Sequence, residues 1–209
     1  MSALTNSSSA TTVLLCGVGG QGTILAADVL AHTALEAGEA AKLSEIHGMA
    51  QRGGAVTTVV RFGNEVASMV CDPGTADCVV SFETTEALRN LSFLREGGYL
   101  LVADEAILPL PVATGNASMP AQAREKLLKC GATLIPAGRL AEEAGSPKST
   151  NIVLLGALST RLSFASEIWE SVITQRVPPK TIEANLIAFR AGREFALTAA
   201  QTNQGEASA

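Results

Sequence analysis

The chain has 209 residues, 47% of them hydrophobic, which is enough for one α/β domain built on one continuous core. Charged residues make up only 17% and the formal net charge is -5, so nothing in the electrostatics favours a phosphate-rich polymer, and nucleic acid is excluded as a partner class.

Met1 to Thr12 is rich in Ser, Thr and Ala and lacks the basic start and apolar run of a secretory signal, so residues 1–12 are expected to form a flexible tail. Thr12 to Cys16 is a β-branched, apolar strand ending at glycines. Gln21 to Ala37 follows with helical spacing and stops at Gly38. Ala40 to Glu45 is a weaker strand. Ala55 to Phe62 predicts a strand, Gly63-Asn64 its turn and Glu65 to Val70 its return, an antiparallel hairpin inserted into a parallel rhythm.

Asp77 to Phe82 and Tyr99 to Ala103 are further strands, separated by a helix over Thr84 to Leu94 that ends near Gly97-Gly98. Ile107 to Pro120 has no clear period, Ala121 to Lys129 is amphipathic, and Ala132 to Ile135 is a last strand. Three helices are predicted after Ser149: Asn151 to Leu162, Ser166 to Gln175, and Pro179 to about Thr198, with Pro178-Pro179 marking a break. The expected fold is therefore Rossmann-like α/β: a mainly parallel sheet flanked by helices, with an added antiparallel hairpin. A single domain should span 13–198, followed by a flexible tail over 199–209. Gly, Ser and charges interrupt every apolar run before membrane-spanning length, so no membrane contact and a cytoplasmic location are expected.

Gly17-Val18-Gly19-Gly20-Gln21-Gly22 satisfies G-x-G-x-x-G between a strand and a helix. Such a turn aims the first helical amides at an anion. A nicotinamide site also needs an acidic residue about 20 positions further on to hold the ribose. Lys42 stands near that place, with Glu45 three residues beyond. Three readings stay open: a nucleotide site, glycines kept for close strand and helix packing, and contact with a ligand or partner chain.

Ser44-Glu45-Ile46-His47-Gly48-Met49-Ala50-Gln51-Arg52-Gly53-Gly54 is the most specific stretch. Together with the glycine loop it resembles the small (beta) subunit of indolepyruvate ferredoxin oxidoreductase, and the gamma-type domain of pyruvate and 2-oxoglutarate ferredoxin oxidoreductases. Asn151 to Gly156 and the Arg176 to Arg193 region resemble the family's later blocks, so the likeness runs from about Val13 to Ala196. The resemblance implies a subunit of an oxidoreductase that converts an arylpyruvate and coenzyme A to an aryl-acetyl-CoA and carbon dioxide while reducing ferredoxin. It also implies a large (alpha) subunit as partner.

Thiamine diphosphate, magnesium and iron–sulfur clusters are expected on that partner. This chain lacks a Gly-Asp-Gly with a following Asn-Asn pair, and Cys16, Cys71, Cys78 and Cys130 have no ferredoxin spacing. No cofactor and no metal are therefore expected on this chain alone. The cysteines read as small apolar residues. A homodimer is expected if the isolated chain turns a partner-binding face on itself. A stand-alone NAD(P)-dependent dehydrogenase and a non-catalytic nucleotide- or CoA-binding module are the alternatives.

The candidate contact residues are Gly17, Gly19, Gly20, Gln21, Gly22, Glu45, His47, Gln51, Arg52 and Gly53. Arg52 has the forked geometry for a carboxylate or phosphate, or for an acidic residue across a subunit interface. No catalytic residue stands out. His32 reads as a packing residue, Trp169 as a core or interface anchor, Asn151 or equally Thr150 or Ser149 as a helix cap, and Arg176, Lys180, Arg190 and Arg193 as solvated helix charges.

Overall fold

The computed structural model describes residues 10–47, 54–107, 112, 115–116 and 118–206, with backbone only at residues 47 and 202–206. Its elements in chain order are β1 (Thr11–Val18), α1 (Thr23–Glu36), β2 (Ala40–His47), β3 (Ala55–Gly63), β4 (Ala76–Ser81), α2 (Thr84–Asn90), β5 (Leu94–Ala103), α3 (Ala123–Lys129), β6 (Thr133–Ile135), α4 (Ala137–Glu143), α5 (Thr150–Ser159), α6 (Ser166–Arg176) and α7 (Ile182–Glu206). Short 3₁₀ turns at Leu91–Phe93 and Pro179–Thr181 precede β5 and α7.

The six strands lie in the order β2-β3-β1-β4-β5-β6. β1, β4, β5 and β6 are mutually parallel, and β3 runs antiparallel to both its neighbours, β1 and β2. β1 is apolar on both faces because both are covered. Val13 and Leu15 join Val60, Val80 and Leu101 in the core shared with α1, α5, α6 and α7, while Leu14 and Cys16 join Val79, Leu100, Ala87 and Leu127 beneath α2 and α3. This continuous apolar character is what a central parallel strand requires.

The antiparallel addition is present, but Glu65 to Val70 is not its return strand. Both hydrogen-bonding edges of β3 are taken by β1 and β2, so β3's hairpin partner is the strand before it. Side chains hold the 65–70 segment instead: Lys42 Nζ donates to the Ala67 carbonyl, and Arg61 Nη1 donates to those of Ser68 and Val70. The helix expected to end near Gly97-Gly98 stops earlier, at Asn90, and β5 already begins at Leu94. Gly98 belongs to that strand, where a Cβ would sit 3.1 Å from the Asp77 carbonyl oxygen. Helix α4 was not expected from the sequence.

α5 and α7 cross at glycines. A Cβ on Gly156 would lie 2.0 Å from the Phe189 carbonyl oxygen, and one on Gly192 would lie 2.0 Å from that of Val153. Trp169 is fully buried beside this crossing, stacked on Phe189 at 5.9 Å. It is a core anchor, one of the roles expected.

Candidate functional site

From β1 the chain passes through α1 toward β2 on one side of the sheet, whereas β4 leads through α2 to β5 on the other side. β1 and β4 are adjacent and parallel, so the gap between their carboxyl ends is the topological switch point, where open α/β sheets form crevices. The glycine loop stands there. Gly22 is the N-cap of α1 at φ 79°, and Gly20 has φ 105°; a side chain at either position would be strained.

The loop is tied to its surroundings by specific hydrogen bonds. The Gln21 carboxamide accepts from the Val18 amide at 2.7 Å and donates to the Phe82 carbonyl at 2.8 Å, bridging the end of β1 to the end of β4. Phe82 donates its own amide to the Cys16 carbonyl at 2.8 Å. Asn151 is almost fully buried at the start of α5 and donates to the Gly22 carbonyl at 3.2 Å. It is therefore not the cap of its own helix, whose N-cap position belongs to Ser149.

Gly54, the described residue that closes the second candidate stretch, meets the first loop. The Gly19 amide donates to the Gly54 carbonyl at 2.8 Å. β2 and β1 point the same way, so His47, Ala55 and Val18 all stand at one end of the sheet. Glu45 is exposed on β2, opposite Thr58, and β2 persists through His47, which pairs with Val56. Gln51, Arg52 and Gly53 lie outside the described residues.

Sequence reasoning missed the acidic groups on the β4 and β5 side of the same sheet end. Glu83 is buried and caps α2, its carboxylate accepting from the Thr85 amide at 2.9 Å and from the Glu86 amide. Thr84 donates its amide to the Glu105 carbonyl at 2.9 Å, and the Glu105 carboxylate accepts from the Gly138 amide of α4. The signal for the first was present as Glu83 before Thr84-Thr85-Glu86, an acidic residue placed to cap a helix. Glu86 is also buried, with one carboxylate oxygen unpartnered among the described residues. Burial raises its pKa, with Arg89 opposing and Glu83 adding to the rise.

Among the described residues no three His, Cys, Asp or Glu side chains converge as a metal site. Cys16 and Cys78 are buried on β1 and β4, and burial pushes the Cys16 thiol up to about 12 and raises that of Cys78. Cys71 is half-buried and Cys130 exposed, so the reading of all four as buried packing residues holds for two. Three of the four basic residues singled out late in the chain are engaged in structure. Arg176 forms a forked pair with Asp28 at 2.6 Å on both arms, Arg190 does the same with Glu170, and Arg193 donates to the Ser159 hydroxyl. His32 bonds the Asp28 carbonyl through Nδ1 at 2.9 Å.

A parallel-sheet domain with a glycine turn at its switch point belongs to the broad Rossmann-like class of α/β proteins. Residues 12–195 match the family described as pyruvate ferredoxin/flavodoxin oxidoreductase. The chain belongs to that family. It is 40% identical over 187 residues to the indolepyruvate oxidoreductase subunit IorB of Thermococcus kodakarensis, spanning 86% of this chain and 93% of the relative. It is 33% identical over 189 residues to the 2-oxoglutarate synthase subunit KorC of Methanothermobacter thermautotrophicus, spanning 88% of this chain and 93% of that one. Among solved structures, the gamma subunit of a keto/oxoacid ferredoxin oxidoreductase from Geobacter sulfurreducens is similar at a TM-score of 0.67 and 27% identity, covering 90% of this chain and 99% of that chain.

Proposed function

We propose that the chain is the small subunit of a 2-oxoacid:ferredoxin oxidoreductase, with indolepyruvate or another arylpyruvate as substrate. The observation that carries this reading is the likeness to subunits named for indolepyruvate oxidoreductase, which extends across the domain rather than over one motif. In the overall reaction a 2-oxoacid and coenzyme A become an acyl-CoA and carbon dioxide, and the two electrons released reduce two one-electron ferredoxins. Thiamine diphosphate with magnesium supplies the carbon chemistry and iron–sulfur clusters carry the electrons, all held by the larger subunit.

The residues of this chain support that division of labour. Ferredoxin-type clusters are held by closely spaced cysteine runs, whereas Cys16, Cys71, Cys78 and Cys130 are scattered along this chain with no such spacing. The contribution of this chain is a surface at the carboxyl end of the sheet that includes Gly17, Gly19, Gly20, Gln21 and Gly22 with Glu45 and His47; Gln51, Arg52 and Gly53 are assigned to the same contact function from the sequence. That surface meets the larger subunit or the coenzyme A that it binds. We place the assembly in the cytoplasm, with ferredoxin as its electron acceptor. Among the described residues no helix is long and apolar enough to cross a membrane.

The test is to co-purify the chain with its larger subunit, separate the two, and assay iron, sulfide and thiamine on each. All three should follow the larger subunit. Stoichiometric iron or thiamine on the separated small chain would overturn the assignment of cofactors. Arg52→Ala should leave the melting temperature unchanged and weaken either co-purification or coenzyme A-dependent turnover. Wild-type behaviour in both would remove the 48–53 segment from the functional surface.

A further inference from the structure

Each glycine at the two ends of the loop is accounted for by a side chain of the protein itself. A Cβ on Gly17 would lie 2.7 Å from Gln21 Oε1 and 2.9 Å from the Phe82 Cβ. A Cβ on Gly22 would lie 2.6 Å from Asn151 Nδ2. In a dinucleotide site the missing side chains let a pyrophosphate approach the backbone. Here the space above Gly17 is filled by the Gln21 carboxamide, hydrogen-bonded to β1 on one side and to the end of β4 on the other. The Val18 amide is used by that carboxamide.

The middle of the loop has the opposite character. Gly20 is exposed, and a Cβ there would meet no atom of the described residues within 4 Å. Ile24, in the first turn of the helix that follows, is 50% exposed. An open backbone edge beside an uncovered branched apolar side chain suits a protein surface better than a phosphate.

We propose that Gln21 is a positioning residue: its carboxamide closes the crevice at the switch point and holds the loop in one shape, so that the outward edge at Gly20 and Ile24 is what the larger subunit meets. The two hydrogen bonds fix the loop before assembly, so the ordering entropy is not charged against binding. The proposal rests on the reading of this chain as a small subunit. It adds that the glycine fingerprint encodes an internal lock rather than a nucleotide site.

The experiment titrates the small chain into a fixed amount of larger subunit and follows 2-oxoacid- and coenzyme A-dependent reduction of a viologen dye. Wild type is compared with Gln21→Ala and with Gln21→Glu, which keeps the volume and the acceptor to Val18 but replaces the donor to Phe82 with a carboxylate. Both variants should need about tenfold more small chain for half-maximal turnover, about 1.4 kcal/mol of assembly. Melting temperatures control for folding; if Gln21→Ala does not fold, Gln21→Glu carries the comparison. Wild-type half-saturation in the folded variants overturns the proposal, and so does a lowered plateau at unchanged half-saturation. Micromolar binding of NADH by the wild-type chain, read by fluorescence, overturns it as well. If the wild-type pair shows no turnover, the proposed function falls, and the same titration read as subunit binding by interferometry still decides the role of Gln21.

Discussion

The buried Glu86 carboxyl makes the stability of the fold depend on pH. Its carboxyl is raised above the ordinary value by burial, so the folded state holds that proton more tightly than the unfolded chain does. The stabilisation from protonation is complete below the unfolded pKa and is lost as pH rises through the raised folded value. Glu86→Gln keeps the shape without the charge. It should raise the melting temperature by a few degrees at pH 7 and by less at pH 4, as read by differential scanning calorimetry; an equal gain at both pH values would contradict the assignment. The cysteines give a second residue-scale expectation. Cys71 and Cys130 should react with a disulfide reagent in the native protein, while Cys16 and Cys78, buried and with raised thiol pKa values, should react only after denaturation. Fast native labelling of all four would show that β1 and β4 are not the covered strands described. Gln21 was legible in the sequence as part of the glycine motif, but its partner Phe82 stands 61 positions away. Asn151 was legible only as a local cap. Its bond to Gly22 spans 129 positions, and no periodicity reports such a contact.

At the scale of elements, the crossing of α5 and α7 depends on backbone contact rather than charge. A methyl group 2.0 Å from a carbonyl oxygen cannot be accommodated without separating the helices. Gly156→Ala and Gly192→Ala should each cost about 3 kcal/mol, the upper end of overpacking penalties, measured as a lower urea midpoint with unchanged slope. By contrast the forked Arg176–Asp28 pair between α1 and α6 is partly exposed, so Arg176→Ala should cost below about 1 kcal/mol. A larger loss from Arg176→Ala than from Gly156→Ala would reverse this ordering of forces. Periodicity located most helices and strands because their apolar spacing is local. It failed at Glu65 to Val70 because strand pairing is decided by which edges remain free, and β3 had none left. It also missed α4, which starts directly behind β6 at Pro136 with no capping side chain, no acidic residue in its first turn and no basic residue in its last, so the usual start and stop signals are absent.

For the whole molecule, the shared direction of β1 and β2 brings the ends of both strands to one end of the sheet, where the Gly19 amide meets the Gly54 carbonyl. That placement was legible in the sequence, because each loop directly follows an early strand. On the other half of that end Glu83 carried a local capping signal that went unread, whereas the ties of Glu105 to Thr84 and Gly138 were hidden by distance along the chain. The central claim is that this domain acts only as part of a larger oxidoreductase. The measurement that tests it most directly is ferredoxin reduction with indolepyruvate and coenzyme A, run under anaerobic conditions with the small chain alone, the larger subunit alone and the two together. The account predicts full turnover only when both are present, and none from the small chain with ferredoxin or with NAD(P). Undiminished turnover by the larger subunit alone, or NAD(P)-dependent turnover by the small chain alone, would contradict it.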